Sequence, residues 1–214
     1  MDIRKISNQK KYDLAASSYD FIAYIMSLGQ ASRLYGEIAD SLKIPPDATT
    51  IVELGCGPAS VVPNLLKKIS GEVTIIGIDF SAQMIAIANR KKEQNRWTNV
   101  HFECMDMYDF TPERDVDAVI FCLALTAIPD SINALKKAHS ILKPGGQLLI
   151  LDSIPLNSRW YHPFANIYMY AKSMIVGAKP TKAILNYITD NLVNVTIKER
   201  LFGVYTLISA FKPN

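Results

Sequence analysis

The sequence predicts an α/β fold built on a doubly wound sheet, and three patterns carry that prediction. From Thr49 onward, short β-branched runs alternate with apolar residues at helical spacing, the pattern of a parallel sheet covered by helices on both faces. A glycine-bearing turn, Gly55-Cys56-Gly57, follows the first apolar run at Ile51-Val52-Glu53-Leu54. A second run, Ile75-Ile76-Gly77-Ile78, ends in Asp79, 22 residues beyond Gly57. Glycines lack a β-carbon and let the chain approach a ligand closely, and an acid at this distance in a βαβ unit can accept from ribose hydroxyls. The chemistry implied is a nucleoside-bearing cofactor.

The elements follow in order. Phe21, Ile22, Ile25 and Met26, then Leu34, Tyr35, Ile38 and Leu42, predict two helices within residues 1–45, the second ended by Pro45-Pro46. Strands are expected at 50–54, 73–79, 99–104, 117–123 and 147–152, with helices at 59–70 and 82–94 and another after Asp130. Ser81 and Asp130 suit N-caps, because their side-chain oxygens can accept from otherwise unpaired amides. Residues 154–191 exceed one crossover helix. Pro163 fits a first helical position, and Phe164, Ile167, Tyr168, Ala171, Met174 and Ile175 then share a face up to Gly177. A second helix starts near Pro180, with Ala183, Ile184, Tyr187 and Ile188. Strands at 192–199 and 204–211 are joined so tightly around Phe202-Gly203 that they must be antiparallel. The expected organisation is one domain, 1–214: a helical N-terminal cap (1–45), a cofactor-binding core (49–152), a cap insertion (154–178) and a last helix with a closing hairpin (180–214).

Composition narrows the classes. With 214 residues, 49% of them hydrophobic and 20% charged, the chain can bury one sizeable core. A net charge of +3, with Arg4, Lys5, Lys10 and Lys11 read as a solvated end, gives no basic groove for nucleic acid. No apolar run reaches the roughly 18 residues of a membrane span, and the start lacks a signal peptide's apolar core. A cytoplasmic protein is expected, with transient membrane-surface contact and oligomeric state left open. Cys56, Cys104 and Cys122 form no CxxC and have no histidine at ligand spacing, so reduced thiols and no metal are expected.

The stretch Glu53-Leu54-Gly55-Cys56-Gly57, with Ala59 where a third small residue falls, resembles the first motif of the class I, seven-stranded S-adenosylmethionine-dependent methyltransferases. Asp79-Phe80-Ser81-Ala82-Gln83-Met84, Cys104-Met105-Asp106-Met107, the run from Asp117 to Leu125, and Leu142-Lys143-Pro144-Gly145-Gly146 are similar to its later motifs in the right order, over roughly residues 50–152. Tyr12-Asp13-Leu14-Ala15-Ala16-Ser17-Ser18-Tyr19-Asp20 is similar to the start of many quinone- and lipid-modifying members. The layout looks most like the small-molecule branch related to quinone C-methyltransferases and phospholipid N-methyltransferases. It lacks their Arg-Asn-Val element after strand four, where Leu123-Ala124-Leu125-Thr126-Ala127-Ile128 stands, and no Asn-Pro-Pro-Tyr follows that strand.

The resemblance implies a Rossmann-like sheet whose last strand inserts antiparallel, with S-adenosyl-L-methionine as cofactor and S-adenosyl-L-homocysteine as product. Asp79 would take the ribose and Asp106 the adenine amine, with Met84 and Met107 on the adenine faces. Glu53 and the Leu123 carbonyl would meet the amino group, while Gly55, Cys56, Gly57 and Phe80 form the surrounding motif. Tyr12 and Tyr19 would close over the carboxylate end. For a general base, His162 beside Tyr161 is the first candidate and Asp152 the second. Trp160, Tyr161, Phe164, Tyr168 and Tyr170 in the cap favour a small apolar or aromatic acceptor. Two other readings stand beside this one. Ser60 in place of a third glycine, together with the terminal hairpin, argues against a nicotinamide-dependent oxidoreductase; a noncatalytic cofactor-binding module differs only in performing no transfer.

Overall fold

The structure is a computed structural model that describes residues 19–69 and 72–214. Among these residues seven strands form one sheet: β1 (Thr50–Leu54), β2 (Thr74–Asp79), β3 (Val100–Cys104), β4 (Val116–Cys122), β5 (Leu142–Asp152), β6 (Val193–Arg200) and β7 (Tyr205–Phe211). Their order is β3-β2-β1-β4-β5-β7-β6. The first five run parallel, and β7 enters antiparallel between β5 and β6. Strand order reverses between β1 and β4, so the carboxyl ends of these strands border a crevice that no connection fills.

Helices cover both faces: α1 (Tyr19–Met26), α2 (Ala31–Asp40), α3 (Val62–Leu65), α4 (Ala82–Asn95), α5 (Ser131–Ile141), α6 (His162–Val176) and α7 (Ala183–Asn191), with a 3₁₀ turn at Leu125–Ala127. Strands buried on both faces read as continuous apolar runs, and β4 is buried along all its length. Ile51, Ile75, Ile120 and Leu149 pack with Leu34 and Ile38 of α2 in one core. Val52, Leu54, Val119 and Phe121 pack with Leu135 of α5 and Ile184 and Ile188 of α7 in the other. Both N-caps form: Ser81 Oγ accepts from Met84 N–H at 3.2 Å and Asp130 Oδ1 from Asn133 N–H at 2.9 Å.

Polar contacts fasten the N-terminal helices. The buried Gln147 amide accepts from Lys43 N–H at 2.7 Å and donates to Ser41 O at 3.0 Å. Tyr205 Oη donates to Met26 O at 3.0 Å, which sets the end of α1 beside β7.

Three expectations are corrected. The helix read over 59–70 shrinks to Val62–Leu65. Ala59 is left-handed (φ 61°) and Pro63 has no amide, so the first bonded amides are Asn64 and Leu65, both on Val61 O. Strand β5 begins at Leu142, which pairs with Val116 ahead of an irregularity, rather than at 147. The apolar stripe of α6 faces outward: Phe164 and Ile167 are each 68% exposed and Met174 is 81%. The buried face is Ala165, Met169, Lys172 and Ser173, at i, i+4, i+7 and i+8. Half of that face is polar, which hid it from a reading that counts apolar side chains.

Exposed Arg96 caps α4 in the left-handed region (φ 56°), where glycine escapes the β-carbon clash. Arg96→Gly should raise the unfolding free energy by about 0.5–1 kcal/mol in urea titration. Lower stability in the variant would contradict the cap assignment.

Candidate active site

The glycine turn after β1 is held by the end of β2. Gly55 and Cys56 N–H groups both donate to Ile78 O, at 2.8 and 3.0 Å, and Gly57 N–H donates to Asp79 Oδ2 at 2.9 Å. The other oxygen, Asp79 Oδ1, accepts from Ser81 N–H at 2.9 Å, where α4 begins. Gly55 (φ 74°) and Gly57 (φ 50°) are left-handed, and a Cβ on Gly55 would lie 2.6 Å from the Ala124 Cβ. Glycine is therefore required at Gly55 by both conformation and space.

Above this turn opens a cavity of about 250 Å³ at the carboxyl ends of β1, β2 and β4. It brings together Tyr19, Gly55, Gly57, Asp79, Phe80, Met84, Asp106, Met107 and Leu123 from the sequence-predicted set. Tyr12 lies outside the described residues. Glu53 and Cys56 do not line the cavity; they are buried behind the turn, 1% and 4% exposed. Sequence reasoning missed Met105, Tyr108, Ala124, Ala127, Asp130 and Asn133 in the wall. Tyr108 N–H donates to Asp106 Oδ1 at 3.1 Å and its hydroxyl to Asp130 O at 2.9 Å. Burial, with Asp130 and Asp106 nearby, pushes the Tyr108 phenol up to about 12. The signal for this group was the Asp130 cap itself, since a helix that starts at the crevice presents its first turn to the ligand.

Glu53 supplies the test of fit for a cationic group. Its Oε2 is buried without a hydrogen-bond partner, and burial, then Asp79, raises its pKa from an ordinary 4.5 to about 8. A neutral acid in that position gains by ionising when a cation arrives. The thiols of Cys56 and Cys122 are pushed up, first by burial and then by nearby carboxylates, so neither is a thiolate nucleophile. Cys104 is exposed.

A second cavity, of about 70 Å³, adjoins the first, and Tyr19, Leu123 and Ala127 stand in both walls. Its remaining lining comes from α1 (Ile22, Ala23, Met26), Thr126, the end of β5 (Asp152, Ser153), α6 (Lys172, Ser173), Ala178 and Tyr205. Asp152 Oδ1 accepts from Thr126 Oγ1 and Ser153 N–H, both at 2.7 Å, and Oδ2 from Thr126 N–H at 3.0 Å. Burial still raises its pKa against those donors and Lys172. Lys172 is 7% exposed, with Nζ 3.4 Å from the centroid of the Tyr205 ring.

The candidate bases separate. Asp152 lies in the second cavity, but His162 and Tyr161 line neither. His162 is fully buried; its Nδ1 accepts from Arg159 N–H at 3.2 Å, and Nε2 donates to Glu199 Oε2 at 2.8 Å. Tyr161 donates its hydroxyl to Glu199 Oε1. Hydrogen bonds from Tyr161 and His162 hold the Glu199 carboxyl below the usual range. These residues tie the first turn of α6 to β6, outside the linings of both cavities. The cap aromatics Trp160, Phe164, Tyr168 and Tyr170 likewise line neither cavity.

Residues 51–146 match the family model of a methyltransferase domain. Over 188 residues the chain is 22% identical to the ubiquinone/menaquinone biosynthesis C-methyltransferase UbiE of Geotalea daltonii, a match that covers 86% of this chain and 80% of that protein. Phospholethanolamine N-methyltransferase 2 of Haemonchus contortus has a similar fold, with a TM-score of 0.73 at 13% identity over 94% of this chain and 58% of that one. The [4+2]-cyclase SpnF also has it, with a TM-score of 0.65 at 16% identity over 86% of this chain and 82% of that one. Sheet order and crevice thus define the class I, seven-stranded methyltransferase fold. Residues 51–146 are the methyltransferase domain of an S-adenosylmethionine-dependent enzyme, with S-adenosylmethionine as cofactor.

Because folding raises the Glu53 pKa, the folded state binds more protons than the unfolded one between 4.5 and about 8. Stability should therefore fall as pH rises through that window, by roughly 1 kcal/mol per unit at most from this group. Urea unfolding of the ligand-free protein should show a shallower fall in Glu53→Gln. Identical pH dependence in both proteins would refute the assignment.

Proposed function

We propose that the chain transfers a methyl group from S-adenosylmethionine in the larger cavity to a small, largely apolar acceptor whose reactive head enters the smaller one. The observation that carries this reading is the junction of the two cavities, with Tyr19, Leu123 and Ala127 in both walls. When bound, the cofactor supplies a methyl group on a sulfonium whose leaving group is a neutral thioether. The chain's task is then to orient both partners and exclude water, which can lower a barrier by roughly 7–11 kcal/mol.

In this reading Asp79 accepts from the ribose hydroxyls. Each of its oxygens already takes one backbone amide, and a carboxylate oxygen has lone pairs for more. Asp106 takes the adenine amine, Met84 and Met107 flank the ring, and Glu53 balances the cationic amino group from behind the turn. Gly55 and Gly57 admit the ligand to the backbone, the Leu123 carbonyl meets the amino group, and Tyr19 closes the boundary between the cavities. The Geotalea relative's name places it in quinone biosynthesis, which supports a planar acceptor with a long apolar part. A cytoplasmic setting belongs to the proposal and rests on the free thiols of Cys56, Cys104 and Cys122. Separately, no helix among the described residues is long and apolar enough to cross a membrane.

The cyclase neighbour shows that this fold also carries other chemistry, so transfer itself must be measured. Label from methyl-labelled S-adenosylmethionine should enter a small molecule when wild-type protein meets a metabolite extract. In calorimetry, Asp79→Ala should lose about 1.5–3 kcal/mol of S-adenosylhomocysteine affinity for each charge-assisted hydrogen bond removed. Unchanged affinity would overturn the ribose role, and cofactor binding without any transfer would favour a noncatalytic module.

A further inference from the structure

Resting on the methyltransferase reading above, we propose that Lys172, in the wall of the smaller cavity, takes the proton of an acceptor hydroxyl borne on an sp² carbon, a phenol or the enol of a planar carbonyl compound.

The placement of Lys172 is unusual for a lysine. Its side chain is buried, and no carboxylate among the described residues lies within ion-pairing range. Its neighbour Asp152 is already committed to three donors from Thr126 and Ser153. A buried ammonium is normally paired, so a lysine with only an aromatic face beside it in a cavity wall is built to gain or lose its charge with what enters. Burial holds its pKa down to about 7, with Asp152 the opposing influence. At neutral pH a large fraction is therefore free amine, and a base whose pKa matches the working pH is the most effective proton acceptor.

The other titratable groups around the Lys172–Tyr205 pair do not compete. Burial, then Asp152, keeps the Tyr205 phenol protonated, and its hydroxyl is spent on Met26 O. Tyr168, one turn earlier on α6, also directs its hydroxyl to Met26 O, at 3.4 Å. The Cys122 thiol is held protonated by burial, then by Glu53 and Asp152. In the proposed step the acceptor's O–H bond breaks and its proton joins the Nζ lone pair, giving an ammonium. The bonding pair stays on the acceptor oxygen and spreads into its conjugated system, where oxygen or carbon becomes the nucleophile. The new ammonium remains over the Tyr205 ring and near Asp152, which stabilise its charge until the proton passes to solvent. An acceptor with a purely apolar head would leave Lys172 without a task.

The test uses 4-nitrophenol, whose phenolate absorbs visible light and whose phenol does not. Protein saturated with S-adenosylhomocysteine is titrated with the probe at about pH 7, near the probe's own pKa, where much of it is still phenol in solution and much of Lys172 is free amine. Wild-type protein should bind it as phenolate, and 4-nitroanisole, with no proton to give, should bind at least about ten-fold more weakly. Lys172→Met, nearly isosteric, should abolish the phenolate signal. Lys172→Arg, which keeps a fixed positive charge but is no base at this pH, can bind phenolate only by releasing the phenol's proton to buffer, whereas wild-type protein keeps that proton on the lysine and should release fewer protons per probe bound. Unchanged S-adenosylhomocysteine affinity in both variants shows that they fold and that the methyltransferase reading stands apart from this one. No probe binding, binding as phenol, or an equal phenolate signal in Lys172→Met would each overturn the proposal.

Discussion

Three successive amides of one turn, bound to the last two residues of a neighbouring strand, fix the geometry on which the site depends. Gly55 and Cys56 meet the Ile78 carbonyl and Gly57 meets the Asp79 carboxylate, so the ligand-facing backbone has no freedom to relax away. The same carboxylate reaches Ser81 and sets the first turn of α4. One acidic side chain thus joins β1, β2 and a helix N-terminus at the point where strand order reverses. This arrangement also sets the electrostatics. Burial, and after it Asp79, raises the pKa of Glu53 and of Cys56, leaving an acid and a thiol that remain neutral until a cation offsets the local negative charge.

Beyond the shared wall the character changes. The larger cavity is shaped by strand ends and loops, whereas the smaller one is closed by α1 and α6, which meet at Met26 O, the acceptor for Tyr205 of β7 and Tyr168 of α6. Leu123 stands at the boundary in the left-handed region (φ 55°), a conformation that costs a β-carbon-bearing residue about 1–2 kcal/mol. Its amide is held by Leu151 O at 2.7 Å, so β5 supports the strained end of β4. Asp152, the next residue of β5, adds a polar group to the wall of the smaller cavity.

Much of this was legible in the sequence where local pattern and tertiary role coincide. The central parallel strands announce themselves as β-branched runs because they are buried on both faces, β4 along its whole length, and the antiparallel close follows from a connection too short for anything else. The nucleoside side was legible because glycine conformation and an acid at a strand end are local requirements. The acceptor side was not. His162 and Tyr161 sit beside one another in an aromatic segment, but their partner Glu199 is 37 residues away from His162, and no spacing rule reveals that lock. Lys172 escaped for the opposite reason: a lysine within an apolar helix reads as a solvated position until the helix face is known. The stripe of Phe164, Ile167 and Met174 pointed to the wrong face, since apolar periodicity reports what can be buried and not what is.

The central claim is that one cofactor lies across the turn with its reactive end at the boundary between the two cavities. A crystal structure of the complex with S-adenosylhomocysteine tests it most directly. The account requires the ribose against Asp79, the adenine between Met84 and Met107, and the sulfur at the rim formed by Tyr19, Leu123 and Ala127, open towards Lys172. A ligand seated with its sulfur facing away from that rim, or with its ribose remote from Asp79, would contradict it.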